Sequence, residues 1–370
     1  MKITTAAAQL ATCLETVEKA LPVRTTIPAT GNILLESEGG LLTFTATNHE
    51  IMINVIMDYP GGESGKLLIP PKIVDIVRHF PTPEINMEIN PENYRIDITG
   101  GAARFHLYGS SADDFPLTAL ADDHNGEDEF ALDLSTFKKL LKEVVFAASS
   151  EETRPAFNGV LFSFSGTNLT LTASDTYRLV IRSFVDDKWS FKEKKCLVPA
   201  KALREFLRLA GDGTNELVVS HSDSLLSIRF GQIYFASRLL EEKYPDVSGV
   251  IPREYKTRIT VDSKMLEETI SRAALFTEGK NQAVNLAVKN EHAEIKVNSQ
   301  VGSMEETMPV EQDGEDLDLF VNSRFILELL KILETEKVII DFHGDGGPLI
   351  FKIPDDSSYL YLVLPIKKVT

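Results

Sequence analysis

FALDLSTFKKLLKEVVFAASS, residues 130–150, and NGVLFSFSGTNLTLTASD, residues 158–175, together spell a short strand, an amphipathic helix and two further strands. In the helix, Leu134, Phe137, Leu140, Leu141, Val144, Val145 and Ala148 recur at the three- and four-residue spacing that gathers them on one face, away from Lys138, Lys139 and Lys142. In the last strand Leu169, Leu171 and Ala173 alternate with Thr170, Thr172 and Ser174, the period of a half-buried strand.

The chain writes this outline twice more. Shifted back by 127 positions, ITTAAAQLATCLETVEKA from Ile3 lays Leu10 on Phe137, Leu14 on Leu141 and Val17 on Val144. The same shift lays GNILLE from Gly31 over NGVLFS, and TFTATN from Thr43 over TLTASD. Shifted forward by 129, ITVDSKMLEETISRAALF from Ile259 places Leu266 on Phe137. The second halves repeat as well: KLLIPPKIVDIVRHF from Lys66, KCLVPAKALREFLRL from Lys195 and DLFVNSRFILELLKIL from Asp318 each read as strand, then helix. Order and spacing survive at every step, so one α+β fold, two helices on antiparallel strands, is used three times in tandem. The expected domains are 1–123, 124–253 and 254–370, the first linker being the polar, acidic stretch 122–129.

Composition agrees. A chain of 370 residues suits two or three domains, and 43% hydrophobic with 25% charged residues is an ordinary globular balance. No apolar run approaches the ~20 residues that cross a bilayer. The opening MKITTAAAQLATCLETVEKA carries acids and helical periodicity rather than a signal peptide, so a cytoplasmic protein is expected. Cys13 and Cys196 fall in separate repeats, as reduced packing residues.

The net charge of −17 argues against nucleic acid until its distribution is considered. The six expected helices, 5–21, 71–80, 134–148, 200–210, 263–276 and 323–335, hold 13 Lys and Arg against 9 Asp and Glu. They carry +4, which leaves −21 for everything else. A fold that gathers its helices on one surface then has a mildly basic face on an acidic body.

Chemistry is hard to find. Ser135-Thr-Phe-Lys138 has the Ser-x-x-Lys spacing of acyl-transferring hydrolases, but that spacing is common and lacks a Lys-Thr-Gly partner; the bland reading is a first helical turn followed by an exposed lysine. The seven His are scattered without metal-ligand spacing, and no Gly-x-x-x-x-Gly-Lys would hold a nucleotide. His343-Gly-Asp-Gly-Gly-Pro348 reads as a hairpin loop between strands. Neither catalysis nor a cofactor is expected.

SSADDFP from Ser110, ETRPAFNGVLF from Glu152, TASDTYRL from Thr172, SRLLEEKYPDVSGVIP from Ser237 and YLVLPIK from Tyr361, with VRTTIP around Arg24 and the opening MKIT, resemble the bacterial sliding clamp family, the β subunit of DNA polymerase III. The resemblance runs the length of the chain in order. It implies a head-to-tail homodimer whose six domains close a ring around duplex DNA, helices lining the hole and sheets outside. A basic lining would meet phosphates without reading bases, so binding would be sequence-independent, and the acidic exterior would not adhere to DNA. The lining candidates are Arg24, Lys72, Arg78, Lys138, Lys142, Arg154, Lys201, Arg204, Arg272 and Lys331.

The resemblance also implies a pocket for linear peptides from the polymerase III catalytic subunit, the clamp loader and other partners. The matching positions are Phe157, Ser174, Thr176, Tyr177, Arg178, Leu179, Pro245, Val250, Asn322, Phe325, Leu362, Val363, Leu364, Pro365 and Ile366. At the subunit contact the family's apolar positions match Phe105, Leu275 and Phe276. Gly249, where the family often has Arg, Asn281, where an aromatic is common, and Tyr177, where His is usual, bear on peptide preference. The expected function is a non-enzymatic processivity factor, opened by a clamp loader using ATP, that tethers a polymerase to DNA. The rivals are a scaffold with the same pocket that does not close on DNA, and a Ser-x-x-Lys hydrolase acting through Ser135.

Overall fold

A computed structural model describes residues 1–60, 62–116, 128–151, 153–211, 216–277, 279, 282–344 and 346–367. Among them are six α-helices: α1 (Ala7–Glu18), α2 (Lys72–Arg78), α3 (Leu134–Val145), α4 (Ala200–Leu209), α5 (Ser263–Ala274) and α6 (Ser323–Leu330). All lie within the spans expected from apolar spacing. They end early where the last turn tightens to i→i−3 bonds, as at Leu21, Ala147 and Ile332. Caps fix two of the starts: Asp262 accepts from the Met265 amide (2.7 Å) ahead of α5, and Asn322 from the Arg324 amide (3.0 Å) ahead of α6.

The repeat is explicit in the strand order. One four-stranded set recurs as β5 (Gly65–Ile69), β2 (Ile33–Glu38), β3 (Leu41–Thr47) and β4 (Ile51–Asp58). The second repeat gives β13 (Phe191–Pro199), β10 (Gly159–Gly166), β11 (Asn168–Ser174) and β12 (Arg178–Val185). The third gives β22 (Leu317–Asn322), β18 (Ala283–Lys289), β19 (His292–Ser299) and β20 (Gly302–Pro309). A second set recurs as β1 (Lys2–Ala6), β6 (Glu84–Ile89), β7 (Arg95–Gly100) and β8 (Ala103–Tyr108). Its counterparts are β9 (Asp128–Asp133), β14 (Glu216–His221), β15 (Leu225–Phe230) and β16 (Ile233–Arg238), then β17 (Thr257–Asp262), β23 (Lys337–Phe342), β24 (Leu349–Ile353) and β25 (Asp356–Val363).

The sets join across repeats. β4 pairs antiparallel with β16 to make one eight-stranded sheet, and β12 with β25, plus the short β21 (Glu311–Gly314) beside β17, to make one of nine. The compact units follow the sheets rather than the repeats: Met1–Lys138 with Lys201–Leu239, and Lys139–Ala200 with Leu240–Thr370. The rings of Phe137 and Phe206 meet at 5.7 Å in the core of the first; in the second Tyr361 stands 5.5 Å from Phe146 and 5.8 Å from Phe351. The expected linker 122–129 lies mostly outside the described residues.

Two details differ from the sequence pattern. Thr172 and Ser174, expected on an open face of β11, are buried with their apolar neighbours. Lys138, expected on the exposed face of α3, is buried too. It sits four residues after Leu134 and three before Leu141, at the margin of the apolar stripe, and its ammonium donates 2.8 Å to the Gly211 carbonyl.

Candidate functional site

In the second unit β12 begins from a tight turn with Thr176 in the left-handed region at φ +79°, a costly conformation for a β-branched residue. Side chains hold it there. The Ser174 hydroxyl donates 2.7 Å to the Arg178 carbonyl and accepts 3.0 Å from the Thr176 amide, while the Asp175 carboxylate accepts from the Tyr177 and Arg178 amides, both at 3.0 Å. Tyr177 is thereby aimed outward, 60% exposed. The Leu364 amide donates 2.9 Å to the Tyr177 carbonyl, which brings a second exposed apolar side chain beside the first. Pro365 ends the strand, and the Ile366 amide reaches the Phe320 carbonyl at 2.7 Å.

Below these the floor is apolar. Leu179 and Leu362 are register partners and bury against Ile350, with Val247, Leu360, Ile181 and Ile251 packed around them. Val363 lies buried opposite Arg178. Val250, on the short turn Ser248–Val250, is 55% exposed, and Pro245 is exposed nearby in sequence. Phe157 is half-buried with its ring edge-on to Tyr244 at 5.6 Å. An extended segment with apolar side chains fits such a groove.

Arg178 ties the groove to α6. Only 5% exposed, its guanidinium donates to Asp175 (2.9 Å), to the Phe146 carbonyl (2.9 Å) and to Glu328, with the Phe325 ring 4.5 Å and the Phe146 ring 5.3 Å from its centre. Each of the three guanidinium nitrogens has an acceptor, which is what a buried charge requires. Burial opposes the charge of Glu328, but hydrogen bonds from Arg324 and the charge of Arg178 outweigh it, so its pKa lies below the ordinary carboxylate value. Asn322 is spent as the cap of α6. Ile350, Val247 and Leu360 in the floor, and Glu328 and Phe146 around Arg178, were not singled out from the sequence. They join through pairings far apart in the chain that no local pattern marks.

The ten cations distribute unevenly. Arg24, Lys142 and Lys331 are exposed, and Arg204 is half-buried. Lys72 pairs with Asp75 (2.9 Å), Arg78 with Glu15 (2.6 Å), Lys201 with Glu50 (3.3 Å) and Arg272 with Glu306 (2.6 Å). Such exposed pairs are weak and screened, so phosphates can compete for the cation. Arg154 donates 2.8 Å to the Thr176 hydroxyl and so stands at the turn beneath Tyr177. Lys138 is buried as described.

Phe105 is 39% exposed on β8, with Phe80 5.9 Å away; Leu275, just past α5, is 78% exposed, and the Phe276 ring lies against Gly302. Ser135 and Lys138 are turned to separate partners, the hydroxyl to Asp133 and the ammonium to Gly211. Both cysteines are free and buried, and burial pushes the Cys196 thiol up to about 12. Asn281 lies outside the described residues. Among the described residues no helix is long and apolar enough to cross a membrane, and no group of His, Cys, Asp and Glu is placed to hold a metal.

Comparison with known proteins agrees with this fold. Models of the DNA polymerase III β subunit match throughout: its N-terminal domain residues 1–119, its central domain 131–246 and its C-terminal domain 248–367. The β sliding clamp of Bacillus subtilis is 30% identical over 381 aligned positions, covering 99% of this chain and all of that protein. The crystal structure of the Bacillus subtilis DNA polymerase sliding clamp superposes with a TM-score of 0.94 at 28% identity, covering 100% of this chain and 99% of that one. A Pseudomonas aeruginosa sliding clamp bound to griselimycin gives 0.93 at 26% identity, covering 99% of each chain. The members of this family are non-catalytic subunits of the polymerase. The chain belongs to the DNA polymerase III β subunit family, and its function is that of a DNA sliding clamp.

Proposed function

We propose that two copies of the chain close head to tail around duplex DNA, and that the groove at Tyr177, Val250 and Leu364 tethers the polymerase III catalytic subunit, the clamp loader and other partners by a linear peptide. One observation carries the closed dimer. At each seam within the chain an aromatic of the incoming strand is fully buried opposite an aliphatic: Phe235 on β16 opposite Ile53 on β4, and Tyr361 on β25 opposite Val180 on β12. The next seam in the series would join β8 to β20, and within the chain both are sheet edges. Phe105 holds the place of Phe235 and Tyr361 on β8. Carrying the register over sets it opposite Met304, and Arg104 opposite Glu305. Long exposed edges are a liability that pairing removes, and a heterologous contact of this kind forms a ring when its rotation closes.

Leu275 and Phe276 flank β20 and would complete the apolar contact. Arg24, Lys72, Arg78, Lys142, Lys201, Arg204, Arg272 and Lys331 would face phosphates, which need no base readout. Lys138 is held by Gly211, and Arg154 belongs to the peptide groove. The griselimycin-bound relative supports a ligand-binding groove in this fold. Domain limits of 1–123, 124–253 and 254–370 fit the strand sets.

Sedimentation across a range of concentrations tests the reading. A stable species of twice 41.1 kDa that is retained on circular but not linear DNA is the expected result. A persistent 41.1 kDa monomer would favour the scaffold that does not close.

A further inference from the structure

The turn that aims Tyr177 has a counterpart in the first unit with the same pattern of hydrogen bonds. His49 takes φ +71° where Thr176 takes +79°. The Thr47 hydroxyl donates 2.8 Å to the Ile51 carbonyl and accepts 3.1 Å from the His49 amide, as Ser174 does with Arg178 and Thr176. The Asn48 side-chain oxygen accepts from the Glu50 and Ile51 amides at 3.0 and 2.9 Å, as Asp175 does from Tyr177 and Arg178. The Arg238 amide donates 2.9 Å to the Glu50 carbonyl, the counterpart of Leu364 on Tyr177. Below, Met52 and Ala236 are register partners as Leu179 and Leu362 are, and with Leu225 and the half-buried Tyr234 they form a small apolar floor.

Beneath the turn the buried Ile51 stands where Arg178 does, and the side chains at the rim differ in kind. Tyr177 becomes Glu50, which is 67% exposed with Lys201 3.3 Å from its carboxylate. Leu364 becomes Arg238, also exposed.

We infer that this strand seam is a second copy of the peptide seat, and that Glu50 and Arg238 close it to apolar peptides, which holds the chain to one peptide rather than two. An apolar side chain laid on the floor would strip water from a carboxylate and a guanidinium without supplying partners for either. The inference rests on the peptide reading of the groove at Tyr177 and Leu364. The backbone already supplies the direction of the seat, so two exposed side chains decide its selectivity. Both sit on the surface, where substitution leaves the fold largely untouched.

The test is titration calorimetry of the full-length chain with a synthetic peptide carrying the last residues of the polymerase III catalytic subunit. The wild type should bind one peptide per chain. Glu50→Tyr with Arg238→Leu should bind two, the added site surviving Leu364→Asp at the first seat. The reciprocal chain, Tyr177→Glu with Leu364→Arg, should bind none. A Glu50→Tyr/Arg238→Leu chain that keeps the wild-type melting temperature and still binds one peptide overturns the inference while leaving the first seat in place. A reciprocal chain that still binds its peptide overturns the reading of the groove itself, and the inference falls with it.

Discussion

Phe235 and Phe105 occupy the same position on corresponding strands, yet Phe235 is fully buried and Phe105 is 39% exposed. The difference is a partner strand. Phe235 has β4 beside it, and Phe105 stands on an open edge.

Phe105→Asp should therefore convert the proposed dimer to a 41.1 kDa monomer that keeps its fold, checked by sedimentation and circular dichroism. A charge at the centre of a desolvated apolar contact costs on the order of several kcal/mol. Arg104→Glu should weaken the dimer more modestly, and Glu305→Arg in the same chain should restore it, because cross-strand charge pairs contribute roughly 0.2–1 kcal/mol. A dimer indifferent to both changes would place the contact elsewhere.

Leu364→Ala with Pro365→Ala removes an exposed apolar side chain and the residue that stops β25. Binding of a polymerase C-terminal peptide should weaken at least ~10-fold, roughly 1.4 kcal/mol or more, with the native mass unchanged. Fluorescence anisotropy measures the first and sedimentation the second. Unaltered peptide affinity would show that the groove is not where the peptide lies.

Lys142→Ala with Lys201→Ala bears on the proposed cationic lining. Two phosphate contacts fewer should lower the slope of log affinity against log salt by about 1.8 on linear DNA. Peptide affinity should not change. An unaltered slope would take these two residues off the DNA surface.

Asp341 carries a pH dependence. It is 2% exposed, and Arg258 (2.6 and 2.9 Å) and Lys352 (2.7 Å) both donate to it. Burial raises its pKa, but the hydrogen bonds from Arg258 and Lys352 outweigh that, so it lies below the usual value. A carboxyl whose folded pKa is below its unfolded one, about 3.9, stabilises the fold above that pH and loses the contribution as pH falls through the folded value. Asp341→Asn should cost about 1.5–3 kcal/mol at neutral pH, less than a wholly buried pair because both cations are about a third exposed. Urea denaturation of the two chains should converge at acid pH. A constant difference across pH would sink the assignment.

Much of the fold could be read directly, because the repeat is carried by local periodicity: the stripe on α3 and the alternation in β11 are visible in the letters. Lys138 departs from the pattern because helical spacing alone does not say how far a lysine stem can bend back over the stripe margin. The groove was legible at TASDTYRL and YLVLPIK only through a resemblance. Its depth depends on Leu179 meeting Leu362 and on Arg178 reaching Glu328, contacts that span 183 and 150 positions. The sequence offers no signal for Glu50 and Arg238. Their meaning emerges only when the turn at His49 is laid over the turn at Thr176.

Because β4 pairs with β16 and β12 with β25, the unit that was duplicated and the unit that packs are out of phase by half a repeat. A polypeptide cut at a repeat boundary would not fall into separate domains, since each piece keeps half of a shared sheet. Nicked chains should therefore stay associated under native conditions, and unfolding should proceed by the two compact units, each drawing down one terminal repeat together with half of the middle one.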